Sequence, residues 1–324
     1  MKGKHMIWAG IVVYYPKENR LVQNIESIKN QVAGIIIYNN GCNKETKRIL
    51  EDYRNDKFIV IDATKNEGIG KALNCIMNRA EQEGAKWVVT YDQDSISPDN
   101  LIDEYRKRLS EDNLAILCPR IVDKRRIYLV QENVEKKDAY VERCITSASC
   151  TKIEYWKAIG GFDEYLFIDL VDNDFCKRIR INGYLIKKIN SIVLDQEYGD
   201  ITMKSPRTVE IIYRISRGIK SHYLARNVAK LTYKKNVSPL RVYYTNRNLI
   251  YLNKKYKYYG GIGYDTYCCH TYAGFMITFN LSSLLRGKYK MKILSSIIRG
   301  VREGNYKSRH TSPYRIRKTN EAEI

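Results

Sequence analysis

The chain has 324 residues, a net charge of +20 and 44% hydrophobic residues. At about 150 residues per domain this length suits one large domain or two ordinary ones, and the apolar share excludes wholesale disorder. The charge leaves three partner classes open: nucleic acid, an anionic membrane surface or an acidic substrate. The excess is uneven, because residues 1–200 hold 31 basic and 31 acidic side chains whereas 201–324 hold 25 and 5, with 15 of the 27 tyrosines. Two regions, 1–204 and 205–324, are expected to meet at Ser205-Pro206.

In chain order, the apolar run after Lys2 and Lys4 is closed by Pro16 and lacks a small-residue cleavage site. It therefore reads as a first strand over 7–15 and not as a signal peptide. Further apolar runs predict buried strands over 34–38, 58–61 and 86–91, while Leu21, Ile25 and Ile28 and the stretch 70–80 carry helical spacing. Such alternation predicts an α/β fold with a doubly wound, mainly parallel sheet. From 114 to 200 the pattern is mixed, with strands expected over 114–118, 127–131 and 140–146 and helices around Trp156 and over 172–181. Beyond 205 strand signals stop and basic, Tyr-rich helical stretches take over. Eight cysteines without a Cys-x-x-Cys pair read as reduced thiols of a cytoplasmic protein.

Ligands of doubly wound sheets bind beyond the carboxyl ends of the strands, so the segments after Tyr15, Tyr38, Ile61 and Tyr91 matter most. Asp92-Gln93-Asp94 follows such an end. Two carboxylates on one turn can share Mg2+ or Mn2+ and the phosphates it bridges, although an acidic turn or helix cap uses the same residues. Asn66-Glu67-Gly68-Ile69-Gly70 opens a helix where free N–H groups favour an anion, or serves as an ordinary strand-to-helix turn. Asp169, Asp172 and Asp174 precede or begin a helix; they can act there as dipole-favoured first-turn charges, or one can serve as a general base.

Taken in order, these segments carry a resemblance. Asn39-Asn40-Gly41, Asn66 through Asn74, Tyr91 through Ser95, Thr146-Ser147, Gly160 through Glu164 and Phe167 through Asp172 together resemble inverting glycosyltransferases of family 2. Within that family the wording is most similar to bacterial rhamnosyltransferases of O-antigen or capsule assembly, over residues 7 to about 200. The resemblance implies a GT-A fold, with Asp172 as catalytic base and Asp94 and Asp92 toward Mg2+ or Mn2+. It places the nucleotide-sugar donor against Tyr14, Asn39, Asn66, Gly68, Asp92, Gln93, Asp94 and Ser147. Two positions depart from the pattern: Asn39 stands where an Asp is usual, and Gln196 where the family often has a metal-ligating His. No Gln-x-x-Arg-Trp motif occurs, which favours single-sugar transfer over polymerisation.

Three readings compete for the basic region: nucleic-acid binding, a solvated face and docking on an anionic membrane. Docking is preferred, since Lys and Arg clusters attract anionic lipid and Tyr suits the interface. The uncharged stretch 266–285 contains His270 and Asn280 and is expected to lie at the interface or inside the protein, not to span. Arg241 and Arg247, on a helix also carrying Tyr243, Tyr244 and Asn248, either pack and snorkel or contact phosphate of the donor or of a polyprenyl-diphosphate acceptor. The expected protein is cytoplasmic and peripherally membrane-associated. It would transfer rhamnose from dTDP-rhamnose to a lipid-linked oligosaccharide, without nucleic acid. The rival readings are another nucleotide sugar, or an inactive nucleic-acid- or membrane-binding protein.

Overall fold

The computed structural model describes residues 6–123, 137–196 and 201–316, which fall into two compact units: one takes in residues up to 122 with 137–196, the other 201–314. The strand expected over 127–131 and the 197–200 part of the late acidic turn lie outside the described residues.

The first unit opens with β1 (Ile7–Val13), α1 (Glu18–Ile28), β2 (Ile35–Asn39), α2 (Lys44–Glu51), β3 (Phe58–Asp62), α3 (Ile69–Gln82) and β4 (Trp87–Asp92). Every residue of β1 and β2 is buried, which is why these strands read as unbroken apolar runs. Leu21, Ile25 and Ile28 form the buried face of α1, and Ala72, Leu73, Ile76, Met77 and Ala80 that of α3. There follow α4 (Leu101–Arg106), β5 (Leu114–Val122), β6 (Ala139–Tyr140), β7 (Ser149–Lys152), α5 (Ile153–Ala158), α6 (Val171–Ile181) and β8 (Leu185–Asp195). The sheet order is β3-β2-β1-β4-β7-β5-β8-β6, parallel except where β7 pairs with β4 and β5 and where β6 pairs with β8.

One expectation is corrected here. The strand predicted over 140–146 is reduced to the two residues of β6, and the strand that joins the two halves of the sheet is β7. Its sequence Ser-Cys-Thr-Lys is too short and polar to stand out, yet its first three residues are buried because both edges are paired.

The second unit is mainly helical, as expected. It contains β9 (Ile201–Met203), α7 (Pro206–Arg217), α8 (His222–Ala229), β10 (Tyr233–Lys235), α9 (Pro239–Lys255), α10 (Tyr272–Phe275), α11 (Ser282–Arg286) and α12 (Lys290–Arg309). A π-helical turn, Met276–Leu281, joins α10 to α11. The antiparallel pair β9–β10 departs from the expectation that strands end before 205. Pro239 at the first turn and the Ser238 hydroxyl, which accepts from Arg241 N, start α9. Val242, Ile293 and Ile297 form a small core between α9 and α12. Close approach of these helices depends on two glycines: a Cβ at Gly300 would lie 2.5 Å from the Tyr243 carbonyl oxygen, and one at Gly304 2.8 Å from that of Arg247. Among the described residues no helix is long and apolar enough to cross a membrane.

Candidate active site

The parallel register brings the ends of the first strands side by side. Val12 pairs with Asp92, Val13 with Asn39, and Asn39 with Asp62, so Tyr14, Asn39 and the Asp92-Gln93-Asp94 turn leave the sheet along one edge. The antiparallel β7 begins at that edge, with Ser149 opposite Thr90, which delivers Ser147 to the same place.

The acidic turn is held from several directions. Asn24 Nδ2 donates to the carbonyl oxygens of Asp92 (2.8 Å) and Ser95 (2.5 Å), and Arg20 Nε donates to that of Asp94 (2.7 Å). Tyr14 N donates to Gln93 Oε1 at 2.7 Å, and the Ser95 and Ser147 hydroxyls meet at 2.6 Å. Asp92 is half-buried and Asp94 exposed. Buried Gln196 donates from Nε2 to Asp92 Oδ2 at 2.7 Å, while its Oε1 is buried with no partner among the described residues.

On the neighbouring strands the amides organise turns. Asn39 Nδ2 donates to Asp62 Oδ1 at 2.6 Å and its Oδ1 accepts from Cys42 N at 2.9 Å. Asn40 Oδ1 accepts from Glu67 N, and Asn66 Oδ1 from Gly68 N. Gly68, at φ +86°, leaves 2.7 Å between a hypothetical Cβ and the Phe167 carbonyl oxygen, and Ile69 N donates to that oxygen at 2.6 Å. Glycine is thus required where the start of α3 meets the loop that leads into α6. Asn74, one turn into α3, extends the clamp: its Oδ1 accepts from Phe162 N and its Nδ2 donates to Phe162 O and Glu164 Oε1.

That loop contains Phe167, Asp169 and Leu170 at positive φ, an uncommon conformation for non-glycine residues. Asp172 and Asp174, in the first turn of the helix that follows, differ in their surroundings. Asp174 is fully buried and ion-paired with Arg178, whose guanidinium also donates to Ile159 O and Gly161 O, so it anchors α6. Asp172 lies in the first turn of α6, its Oδ1 accepting from Asn173 N at 2.9 Å. It keeps a partly exposed surface, yet its carboxyl sits deep among protein atoms. Burial pushes its pKa up to about 6; the Asn173 hydrogen bond opposes this, and the nearby Asp92 and Asp169 carboxylates add to it. Asp172 also lines a small pocket with Thr90, Thr146, Phe175 and the thiols of Cys144 and Cys176.

The structure therefore brings Tyr14, Asn39, Asp92, Gln93, Asp94, Ser147, Gln196 and Asp172 toward one edge, with Asn66 and Gly68 in an adjoining turn. Arg241 and Arg247 belong to the second unit, where Arg241 is exposed and Arg247 buried, 3.6 Å from Glu303 and with its guanidinium 4.6 Å from the Tyr244 ring centre. Sequence reasoning overlooked Asn24. Its signal is a polar residue on the apolar stripe Leu21, Ile25, Ile28, which implies a buried amide with work to do.

Asp92, Asp94 and the Gln196 oxygen, which has no partner among the described residues, are hard donors, a set that fits Mg2+ or Mn2+. Among the described residues no three His, Cys, Asp or Glu side chains gather as a metal cluster. Further ligands would have to be phosphate or water.

Residues 11–149 match the model of glycosyl transferase family 2. The chain is 29% identical over 248 residues to the dTDP-rhamnosyl transferase RfbF of Shigella flexneri, covering 72% of this chain and 82% of that protein. Among solved structures it resembles GalNAc-T7, crystallised with UDP, GalNAc and Mn2+, at a TM-score of 0.52 and 14% identity. The match covers 60% of this chain and 44% of the GalNAc-T7 chain, so it speaks for the fold alone. The mainly parallel sheet and this likeness are those of the expected GT-A fold.

Proposed function

We propose that this glycosyltransferase, whose residues 11–149 match the family 2 model, transfers one rhamnose, with inversion, from dTDP-rhamnose to a lipid-linked oligosaccharide at an anionic membrane surface. The relative's name supports the donor. The observation that carries the chemistry is Asp172, a carboxylate of raised basicity at a helix start, within electrostatic reach of Asp92.

In this reading the acceptor hydroxyl gives its proton to Asp172 as its oxygen bonds to the anomeric carbon. The bond from that carbon to the diphosphate breaks, and its electron pair leaves with dTDP. Attack opposite the leaving group inverts the centre, and holding both reactants in line supplies much of the acceleration. Tyr14, Asn39, Asn66, Gly68, Gln93 and Ser147 line or shape the donor side. Asp92 and Asp94 would hold Mg2+ or Mn2+, with Gln196 beside Asp92, and the bound ion would neutralise charge developing on the diphosphate. Residues 1–204 would carry the catalysis and 205–324 the acceptor and membrane contacts, with exposed Arg241 better suited to phosphate than buried Arg247.

A thermal-shift comparison of nucleotide sugars with Mn2+ tests the donor, since a ligand that binds only the native state raises the melting temperature. The largest shift is expected from dTDP-rhamnose. Asp172→Asn should keep that shift and lose transfer; normal turnover by this variant would refute the base.

A further inference from the structure

We propose that the helical run from α10 to α11 and the start of α12 form an apolar wedge that enters the interfacial layer of an anionic bilayer. The inference rests on the membrane-surface reading above and gives it an address within the second unit.

Ile277, Leu281 and Leu285 recur every four residues and are exposed, Ile277 by 64% and Leu285 by 69%. Across the turn at Gly287, Met291, Leu294 and Ile298 form a second exposed stripe at helical spacing, Met291 by 76%. The opposite faces are committed to the protein. Asn280 and Asn246 exchange two amide hydrogen bonds of 2.8 Å, Ser283 and Phe275 are buried, and Ile293 and Ile297 pack in the α9–α12 core. The outward direction of the stripes is therefore fixed by what the inward faces hold. Asn280, the residue that argues most against a spanning helix, is satisfied inside the unit.

Charge selects the occupant. Lys288, Lys290 and Lys292 are exposed at the turn between the stripes, and from 266 to 302 the sequence contains no Asp or Glu. Aliphatic side chains bounded by lysines, with Tyr289 exposed among them, match the chemistry of an acyl–headgroup boundary carrying negative charge. A second copy fits less well: a self-complementary interface through this face would set the same lysines against one another.

The test is sedimentation of the full chain with phosphatidylcholine vesicles, with and without phosphatidylglycerol. Wild type should bind the anionic vesicles and weaken as salt rises. The triple variant I277S/L285S/M291S alters only exposed positions, so its melting temperature should hold while vesicle affinity falls more than about tenfold. Neutralising Lys288, Lys290 and Lys292 to Gln should weaken binding about fivefold per lysine and flatten the salt dependence. The substitution Tyr289→Trp adds a reporter against a background of buried Trp8, Trp87 and Trp156, and brominated phosphatidylglycerol should quench it. Wild-type binding with an unimpaired triple variant overturns the wedge and leaves membrane association standing. Failure of wild type to bind anionic vesicles overturns both. Self-association of wild type that the triple variant loses, without vesicle binding, assigns the face to a second copy and also overturns the wedge.

Discussion

Asp172 must be unprotonated to act as a base, and basic enough to hold the proton it takes. A pKa of about 6 meets both demands near neutrality. The acid limb of kcat/KM should therefore fall near pH 6, and Asp172→Asn should lower kcat by about 10²–10⁴. The same shift has a stability consequence of definite sign. Between about pH 4, where an unperturbed aspartate titrates, and pH 6 the native state binds more protons than the unfolded one, so stability falls as pH rises through that window. Asp172→Asn should melt higher than wild type at pH 7.5 and equally below pH 4; scanning fluorimetry across pH reads both, and a lower melting point at pH 7.5 would contradict the assignment. Asn24 acts through the backbone of the Asp92 turn. Asn24→Leu takes the amide donor from the Ser95 carbonyl oxygen and one donor from that of Asp92, which Ser95 N also reaches at 3.2 Å, at about 1–3 kcal/mol for an oxygen left dry. It should raise KM for the donor more than it lowers kcat. Chelation by EDTA should stop transfer and added Mn2+ restore it.

At the level of elements, what the sequence disclosed tracks the way each segment is buried. β1, β2 and β4 were legible because both faces of each strand are covered, the edge strand β3 by its apolar composition, and α1 and α3 because one stripe is buried. The short β7 escaped because pairing on both edges, not apolar composition, makes it a strand. The candidate site shows the same division. Asp92, Asp94 and Asp172 stand in recognisable segments, whereas the contacts that orient Asp92, Asn24 from α1 and Gln196 from the end of β8, join residues 68 and 104 positions apart. No local pattern carries such a pairing. Packing of α12 on α9 yields a prediction that opposes intrinsic propensity. Gly→Ala inside a helix ordinarily stabilises by about 1 kcal/mol, but at Gly300 and Gly304 the new methyl meets a carbonyl of α9. Each substitution should instead destabilise by about 1–3 kcal/mol, measured by urea unfolding.

Over the whole molecule, the +20 belongs to residues 201–324, while residues 1–200, which bear the candidate base and metal carboxylates, are neutral. Raised ionic strength should accordingly weaken any surface attachment well before it alters turnover on a soluble acceptor. The position of β7 has a consequence in time. It is made after both β4 and β5 yet hydrogen-bonds to each, so the halves of the sheet cannot be joined until residue 152 has been synthesised. β8, which ends beside Gln196, follows later still. Non-local closure of this kind is slow, and pulse-labelled hydrogen exchange during refolding should show the amides of β1 and β2 protected before those of β7. A nascent chain would thus present the Asp92 and Asp94 carboxylates early and gain the candidate base Asp172 only after β7 has been made. The candidate site is completed by α6 and the end of β8, the elements of its unit that are made last.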